Sequence, residues 1–296
     1  MRVAAAFALA CLALQTAASS TPQAAVDDLL AADRAFAAKA AGVDVVAALV
    51  PMFADDVSMQ VPGAPFAEGR AKAEAALRAN PDNVKSRLRW TPIRGGVSAD
   101  AHHGFTVGYM VLTNPKGEDV PVKYLAYWIK GASGWRVAVY KRSRAPQPPP
   151  SIEMMAPSLP STIVPVRTDA SAVQALVADL IKAEKTFSDT AQQIGLGPAF
   201  AKFGSADAIN LGRGPAVLVG AQAIGADIGA GAPGPVSPVE WSADRAIVAS
   251  SGDFGVTIGT IRQKAPGPGG TPAPPIPFFT IWRRASASAP WRYIAE

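Results

Sequence analysis

The chain has 296 residues, 49% hydrophobic and 17% charged, which is enough apolar material for sizeable cores and the wrong balance for a disordered tail. That length suits two domains of roughly 100 to 200 residues each. The formal charge of +5 is scattered, with no run of Lys and Arg, and the only cysteine is Cys11, so nucleic acid is not the expected partner and no disulfide framework is available.

Residues 1–20 place Arg2 before an apolar run from Val3 to Leu14, followed by small residues and Thr16-Ala17-Ala18, the layout of a cleavable secretory signal peptide. The expected location is the periplasm or the medium; anchoring by a lipid on Cys11 is the second reading. No other stretch is apolar and long enough to span a bilayer. From about residue 22 to 144, Val26, Leu29, Leu30 and Phe36 recur at helical spacing, a short helix is expected from Val43 to Met52, and a third from Ala71 to Ala79. The period then changes to two, with Phe105, Val107, Tyr109 and Val111 alternating with Thr106, Gly108 and Met110. Tyr124 to Ile129 and Trp135 to Tyr140 read as a hairpin. Residues 145–170 contain seven prolines from Pro146 to Pro165 and read as a semi-rigid linker. From residue 171 the order recurs. Val173, Leu176, Val177, Leu180, Ile181 and Phe187 form one helical face, Pro198 to Phe203 a short helix, and Val219 to Ile228 a helix weakened by glycine. Strands follow at Val256 to Thr260, Phe278 to Trp282 and Trp291 to Ile294.

The recurrence extends to single residues. Trp90, Gly104, Thr106 and Gly108 are matched by Trp241, Gly255, Thr257 and Gly259 at one offset (241 − 90 = 151), which Phe36 and Phe187 share. The chain therefore reads as two copies of one domain, each with its own core. The ordered series Phe53-Ala-Asp-Asp56, Gly69, Trp90, Gly104-x-Thr-x-Gly108, Trp128 and Trp135-Arg136, with Gly252 to Gly259, Trp282 and Trp291-Arg292 in the second copy, resembles the nuclear transport factor 2-like superfamily, in particular its SnoaL-like branch. The resemblance implies an α+β chain of two tandem cone-shaped domains, each with three helices packed in a curved antiparallel sheet and a pocket at one end. It also implies pairing through the sheets, here an intramolecular pseudo-dimer. Family members include isomerases, dehydratases, cyclases and binding modules. The isomerase base would fall near Val61 and Gly212, neither of which can take a proton, and the first helices carry no tyrosine, which argues against that mechanism.

Asp33 and Glu184 share the offset of 151 (184 − 33) and lie on the apolar stripe of the first helix in each copy. Each is either a pocket acid or base, or a structural carboxylate paired for example with Arg136 and Arg292. His102 and His103, the only histidines, are expected in a solvated turn, and no metal or cofactor is expected. Asp55, Asp56 and Asp207 follow the second helix, where turn and capping roles compete with a place at a pocket mouth. Gly229-Ala-Gly-Ala-Pro-Gly234 has dinucleotide spacing but follows a helical segment and reads as a loop. Trp90, Tyr109, Tyr124 and Asp56 are the residues expected to line a ligand pocket, with Trp128, Trp241, Phe278 and Trp282 as further aromatics that serve core or cavity. The leading functional expectation is non-catalytic binding of a small apolar molecule or an envelope partner. The rivals are a dehydratase, isomerase or cyclase using a pocket carboxylate with Tyr109 or Tyr124, and a purely structural pseudo-dimer.

Overall fold

The computed structural model describes residues 21–267 and 270–296; the leader read at residues 1–20, Cys11 included, lies outside the described residues. The first half begins with α1 (Pro22–Lys39), whose N-cap Thr21 accepts from the Ala24 amide at 3.1 Å and whose first helical residue is proline. Asp44 caps the short α2 (Val45–Leu49), which tightens into a 3-10 turn before β1 (Phe53–Met59). Then come β2 (Ala67–Glu68), α3 (Arg70–Ala79), β3 (Arg87–Val97), β4 (His103–Thr113), β5 (Asp119–Gly131) and β6 (Gly134–Arg144). The second half repeats the order with α4 (Ala170–Ile194), α5 (Leu196–Phe203), β7 (Gly204–Asn210), β8 (Leu218–Val219), α6 (Ala221–Gly231), β9 (Val239–Val248), β10 (Phe254–Gln263), β11 (Ile276–Arg283) and β12 (Arg292–Ala295). Among the described residues no helix is long and apolar enough to cross a membrane.

Two six-stranded sheets result, ordered β2-β1-β6-β5-β4-β3 and β8-β7-β12-β11-β10-β9. They are antiparallel apart from one parallel pair in each, β1 with β6 and β7 with β12, so the sheets are mixed. The expected strands and helices are present, and the structure adds β1, β2, β3, β7, β8 and β9. Phe53-Ala-Asp-Asp56 carries a turn-like pair of aspartates, and Pro92, Gly95 and Gly96 interrupt the alternation along β3. Accordingly Asp55, Asp56 and Asp207 sit in strands and not in turns.

Strand alternation divides the apolar residues into separate cores. On β4, Met110 faces the helices together with Val26, Leu29, Trp128 and Tyr140. The other face carries Phe105, Val107 and Tyr109, which pack with Leu125 and Val139 against Phe254, Val256, Ile258, Phe279 and Ile281 of the second half. The two sheets thus bury their outer faces against each other, the pseudo-dimer the resemblance implied. Full burial of each large side chain is worth roughly 1.5 to 3 kcal/mol, so a face of this many residues holds the halves together as one body. The joint is quasi-symmetric. Arg94 on β3 pairs with Asp207 on β7, and its equivalent Arg245 on β9 reaches Glu68 on β2 at 2.9 Å.

The proline-rich segment is not a free tether. Met155 donates to the Ile93 carbonyl (2.7 Å), Ser158 to Gly95 (3.0 Å) and Val164 to Ala99 (2.8 Å), so it runs along the outer edge of β3. Edge strands present unpaired donors and acceptors, and this segment covers them.

Candidate functional site

The glycine and threonine positions of the repeated Gly-x-Thr-x-Gly motif explain how each half builds its centre. A Cβ on Gly104 would lie 2.6 Å from a Leu29 methyl, and one on Gly108 2.6 Å from the Tyr124 ring, so only glycine lets α1 and that ring press onto β4. The threonine between them points inward. In the first half the Trp90 indole donates to Asp33 Oδ1 at 2.6 Å, the Tyr124 hydroxyl donates to Oδ2 at 2.8 Å, and the Trp128 indole donates to the Thr106 hydroxyl at 2.8 Å. In the second half Trp241 donates to Glu184 Oε1 at 2.6 Å, Thr257 donates to Oε2, and Trp282 donates to Oε2 at 3.1 Å. Both carboxylates are 0% exposed.

Burial pushes the Asp33 carboxyl above its usual range, against hydrogen bonds from Thr106, Trp90 and Tyr124 that pull it down. Burial likewise pushes Glu184 up to about 7, opposed by the bonds from Thr257, Trp241 and Trp282. The Tyr124 phenol is raised well above its normal value by burial and by the neighbouring Asp33, which keeps it a donor. Neither arginine suggested as a partner takes part. Arg136 donates to the Trp135 carbonyl and lies over Phe36, and Arg292 donates to the Lys202 carbonyl.

Space in the molecule lies elsewhere. The hollow of the second cone is filled by Phe187, which contacts Phe200, Phe203, Trp241, Trp282 and Tyr293. The first cone keeps a cavity of about 380 Å³ near its mouth, between Met59, Val61, Leu77, Asn83, Tyr140 and Arg142. A shallow depression of about 580 Å³ lies between α5 and α6. The largest, about 1310 Å³, is a groove between the proline-rich segment (residues 159–167) and the second half, floored by Ser251, Gly252, Asp253 and Ile294. Asp33 and Glu184 line none of the three.

No family model and no curated protein matches the sequence. Among solved structures, the chain is similar to a ketosteroid isomerase-like protein from Erwinia carotovora atroseptica (20% identity, TM-score 0.33, covering 40% of this chain and 95% of that one). It is also similar to an NTF-2 like protein of unknown function from Shewanella oneidensis (16%, 0.33, 40% and 97%) and to an ntf2-like protein with a cystatin-like fold from Novosphingobium aromaticivorans (16%, 0.30, 40% and 80%). Within this chain itself, three helices rest in the hollow of a sheet whose strand order is the same in both halves. Each half is therefore the cone of helices in a curved sheet that the sequence resemblance implied.

In these tandem cones, the residues expected to act together are only partly assembled. Asp33, Trp90 and Tyr124 meet, but as a closed cage. Tyr109 is on the opposite face of β4, where its hydroxyl accepts from the Val217 amide at 3.1 Å, so it belongs to the joint and not to a pocket. Two residues on from Val107 and four from Phe105 on one strand, it could only share their face. Asp56 is exposed on β1 and lines none of the cavities, while its neighbour Asp55 pairs with Arg70 at 3.0 Å. Asp207 is engaged by Arg94.

Of the two histidines, His102 is in a bend with Nδ1 2.7 Å from the Asp100 carbonyl oxygen. His103 does not stay in the solvated turn expected for it. It opens β4 with Nδ1 3.0 Å from the Tyr127 hydroxyl, and burial holds it down at about 4, neutral at pH 7. Gly229 and Gly231 close α6, and Gly197 and Gly229 let α5 and α6 approach backbone to backbone, which accounts for the glycine spacing there.

Sequence reasoning missed the buried Lys123, which donates to the carbonyls of Leu211, Gly212 (3.0 Å), Gly214 (2.6 Å) and Ala216 (3.3 Å) across the joint. Its counterpart is Pro277, so no repeat marks it. It also missed Arg283, which reaches Ser158 and the Val97 carbonyl (2.7 Å) and pairs with Asp253 at 3.2 Å, tying the proline-rich segment, the first half and the second half together. Burial lowers its guanidinium to about 10.

Proposed function

We propose that this chain is a non-catalytic binding protein, exported from the cytoplasm, in which the two cones serve as packed cores and the groove beside the proline-rich segment receives the ligand. One observation carries the non-catalytic reading. The same carboxylate cage occurs in both halves, with every carboxylate oxygen accepting from an indole, phenol or hydroxyl donor, and neither carboxylate lines any of the three cavities among the described residues. A general acid or base must come within hydrogen-bond reach of the substrate proton, and a carboxylate in this position does not. The groove supports the binding half of the proposal, because its volume exceeds the roughly 300 to 1,000 Å³ of ordinary small-molecule sites. Export rests on the leader pattern of residues 1–20.

Native mass spectrometry of protein isolated from its own host tests this directly. The expected result is a small molecule retained by the wild type, by Asp33→Asn and by Glu184→Gln, and lost from Ser286→Trp, which narrows the groove from an exposed turn. A ligand lost from Val61→Trp at the cone mouth and retained by Ser286→Trp would overturn it. The same spectra report the N-terminus, expected shortly after Ala18; a chain still beginning at Met1 would contradict export.

The rival enzyme reading has one observation in its favour, the Tyr124 phenol 2.8 Å from a carboxylate oxygen of Asp33. It additionally requires space beside that pair, and the cage provides none in the first half, while Phe278 removes the phenol from the second.

A further inference from the structure

The groove has a chemistry of its own. Five cations line it, Arg167, Lys202, Arg283, Arg284 and Arg292, against one carboxylate, Asp253. Arg283 is spent on Asp253 (3.2 Å) and Arg284 on Asp179 (2.8 Å), both partly or wholly buried. Arg167, Lys202 and Arg292 are exposed, and among the described residues none of them is in an ion pair. The Arg292 guanidinium is held against the Lys202 carbonyl, and the Lys202 ammonium lies over the Phe203 ring, so both residues stand on the second-half side of the groove. Arg167 stands on the opposite wall, its amide anchored to the Ser250 hydroxyl at 3.0 Å.

Between these charges, among the hydroxyls of Ser161, Thr162, Ser205, Ser251 and Ser286, the apolar part of the walls is made by six residues, Leu159, Pro160, Val164, Pro165, Pro290 and Ile294. Three of the six are prolines, which have no N–H to offer. The prolines break any continuous row of N–H donors along which a peptide strand could pair, whereas a hydrocarbon chain needs none. Unpaired guanidinium and ammonium groups bind carboxylate or phosphate oxygens with charge-assisted hydrogen bonds.

The geometry points to a small amphiphilic anion as the ligand: a hydrocarbon body along the proline-lined walls with a carboxylate or phosphate head at Lys202, Arg292 and Arg167. This deepens the binding reading above and rests on it. The binding is titrated calorimetrically with decanoate, decyl phosphate, decanol and acetate, on the wild type and on the triple variant Arg167→Gln, Lys202→Gln, Arg292→Gln. All three positions are exposed, so the variant keeps its fold, which circular dichroism confirms.

The expected result is binding of at least one of the ten-carbon anions, weakened tenfold or more in the triple variant, weakened by raised salt, and tenfold or more tighter than decanol or acetate. The ratio of decanoate to decyl phosphate identifies which head the site prefers. Equal affinity for decanol and decanoate, or an unchanged affinity in the triple variant, would overturn the proposed ligand class and leave groove binding standing. Failure of the groove itself is seen separately, as binding that Ser286→Trp leaves intact and Val61→Trp abolishes.

Discussion

The two halves solve one packing problem with different side chains. In the first, a short Asp33 is met by the Trp90 indole and the Tyr124 phenol. In the second, phenylalanine stands where the phenol was, and Glu184, one methylene longer, reaches on to Thr257 and Trp282 instead. Loss of a donor is matched by a longer acceptor. A catalytic carboxylate is held at a fixed distance from its partner, and that constraint would not survive an exchange of both residues. What the halves share is the need to give buried indole N–H groups an acceptor, since an unpaired buried donor costs about 1 to 3 kcal/mol. The halves also differ at Arg283, whose counterpart on β5 is Ile129; the first half therefore has no arginine on the equivalent strand and holds the proline-rich segment mainly through main-chain bonds along β3.

The comparison can be broken most forcefully at Asp33. Asp33→Leu leaves the Trp90 N–H and Tyr124 O–H buried without an acceptor and is expected to lose about 4 kcal/mol on unfolding in urea, whereas Asp33→Asn loses about 1 because the amide keeps an acceptor. Equal losses for Leu and Asn would show that the cage does not depend on the acceptor. Next comes Arg283→Met, which leaves the largely buried Asp253 with only the Ala99 amide and the Ser251 hydroxyl as donors and removes the donor to the Val97 and Ser158 carbonyls; unfolding in urea is expected to show a loss of about 3 kcal/mol. A loss under about 1 kcal/mol would mean the proline-rich segment is held by its backbone bonds alone.

Glu184→Gln carries a pH signature. With its folded value up at about 7 and an ordinary value of 4.5 in the unfolded chain, Glu184 binds more protons in the folded than in the unfolded chain between those limits. Its contribution therefore weakens as pH rises from 4.5 to 7 and is constant above. At about 1.4 kcal/mol per unit, the amide variant should be more stable than wild type by about 3 kcal/mol at pH 8, and by little at pH 4. His103 works in the opposite sense, because its value is lowered from 6.5 to about 4 and its contribution is lost as pH falls through that window. The two slopes offset each other in the wild type, so the difference between wild type and Glu184→Gln is the quantity to plot. A difference that does not change with pH would contradict a buried, raised carboxyl. The smallest effect is expected from Phe278→Tyr, which places a phenol in the second cage as in the first. It should change stability by no more than about 1 kcal/mol and move the Glu184 transition to lower pH, since a donor favours the charged form. A shift upward would show that the new hydroxyl turns away.

The repeat made much of this legible. Asp33, Glu184, Trp90 and Trp241 stand at one offset and on one helical or strand face, so their meeting could be anticipated, as could the paired sheets. Arg94 and Arg245 share the same offset, and that signal was available without being read. Tyr109 was placed in a pocket although its spacing from Phe105 and Val107 puts it on the joint. Whether the cones are hollow was not legible. Filling the second one depends on Phe187 meeting five other aromatic rings brought in from separate elements. The groove was hidden for another reason. Its wall is fixed by main-chain bonds from Met155, Ser158 and Val164, which the side-chain pattern of a proline-rich stretch does not reveal.

The claim that both carboxylates are sealed is tested most directly by hydrogen exchange at the indole N–H groups of the six tryptophans, followed by NMR in D2O. The indoles of Trp90, Trp128, Trp241 and Trp282 bond to acceptors inside the cages and should exchange only with global unfolding, while those of Trp135 and Trp291, bonded to the partly exposed Asp28 and Asp179, should exchange far sooner. Rapid exchange at Trp90 or Trp241 in an otherwise protected protein would show that water reaches the carboxylate, and would return Asp33 or Glu184 to an open site.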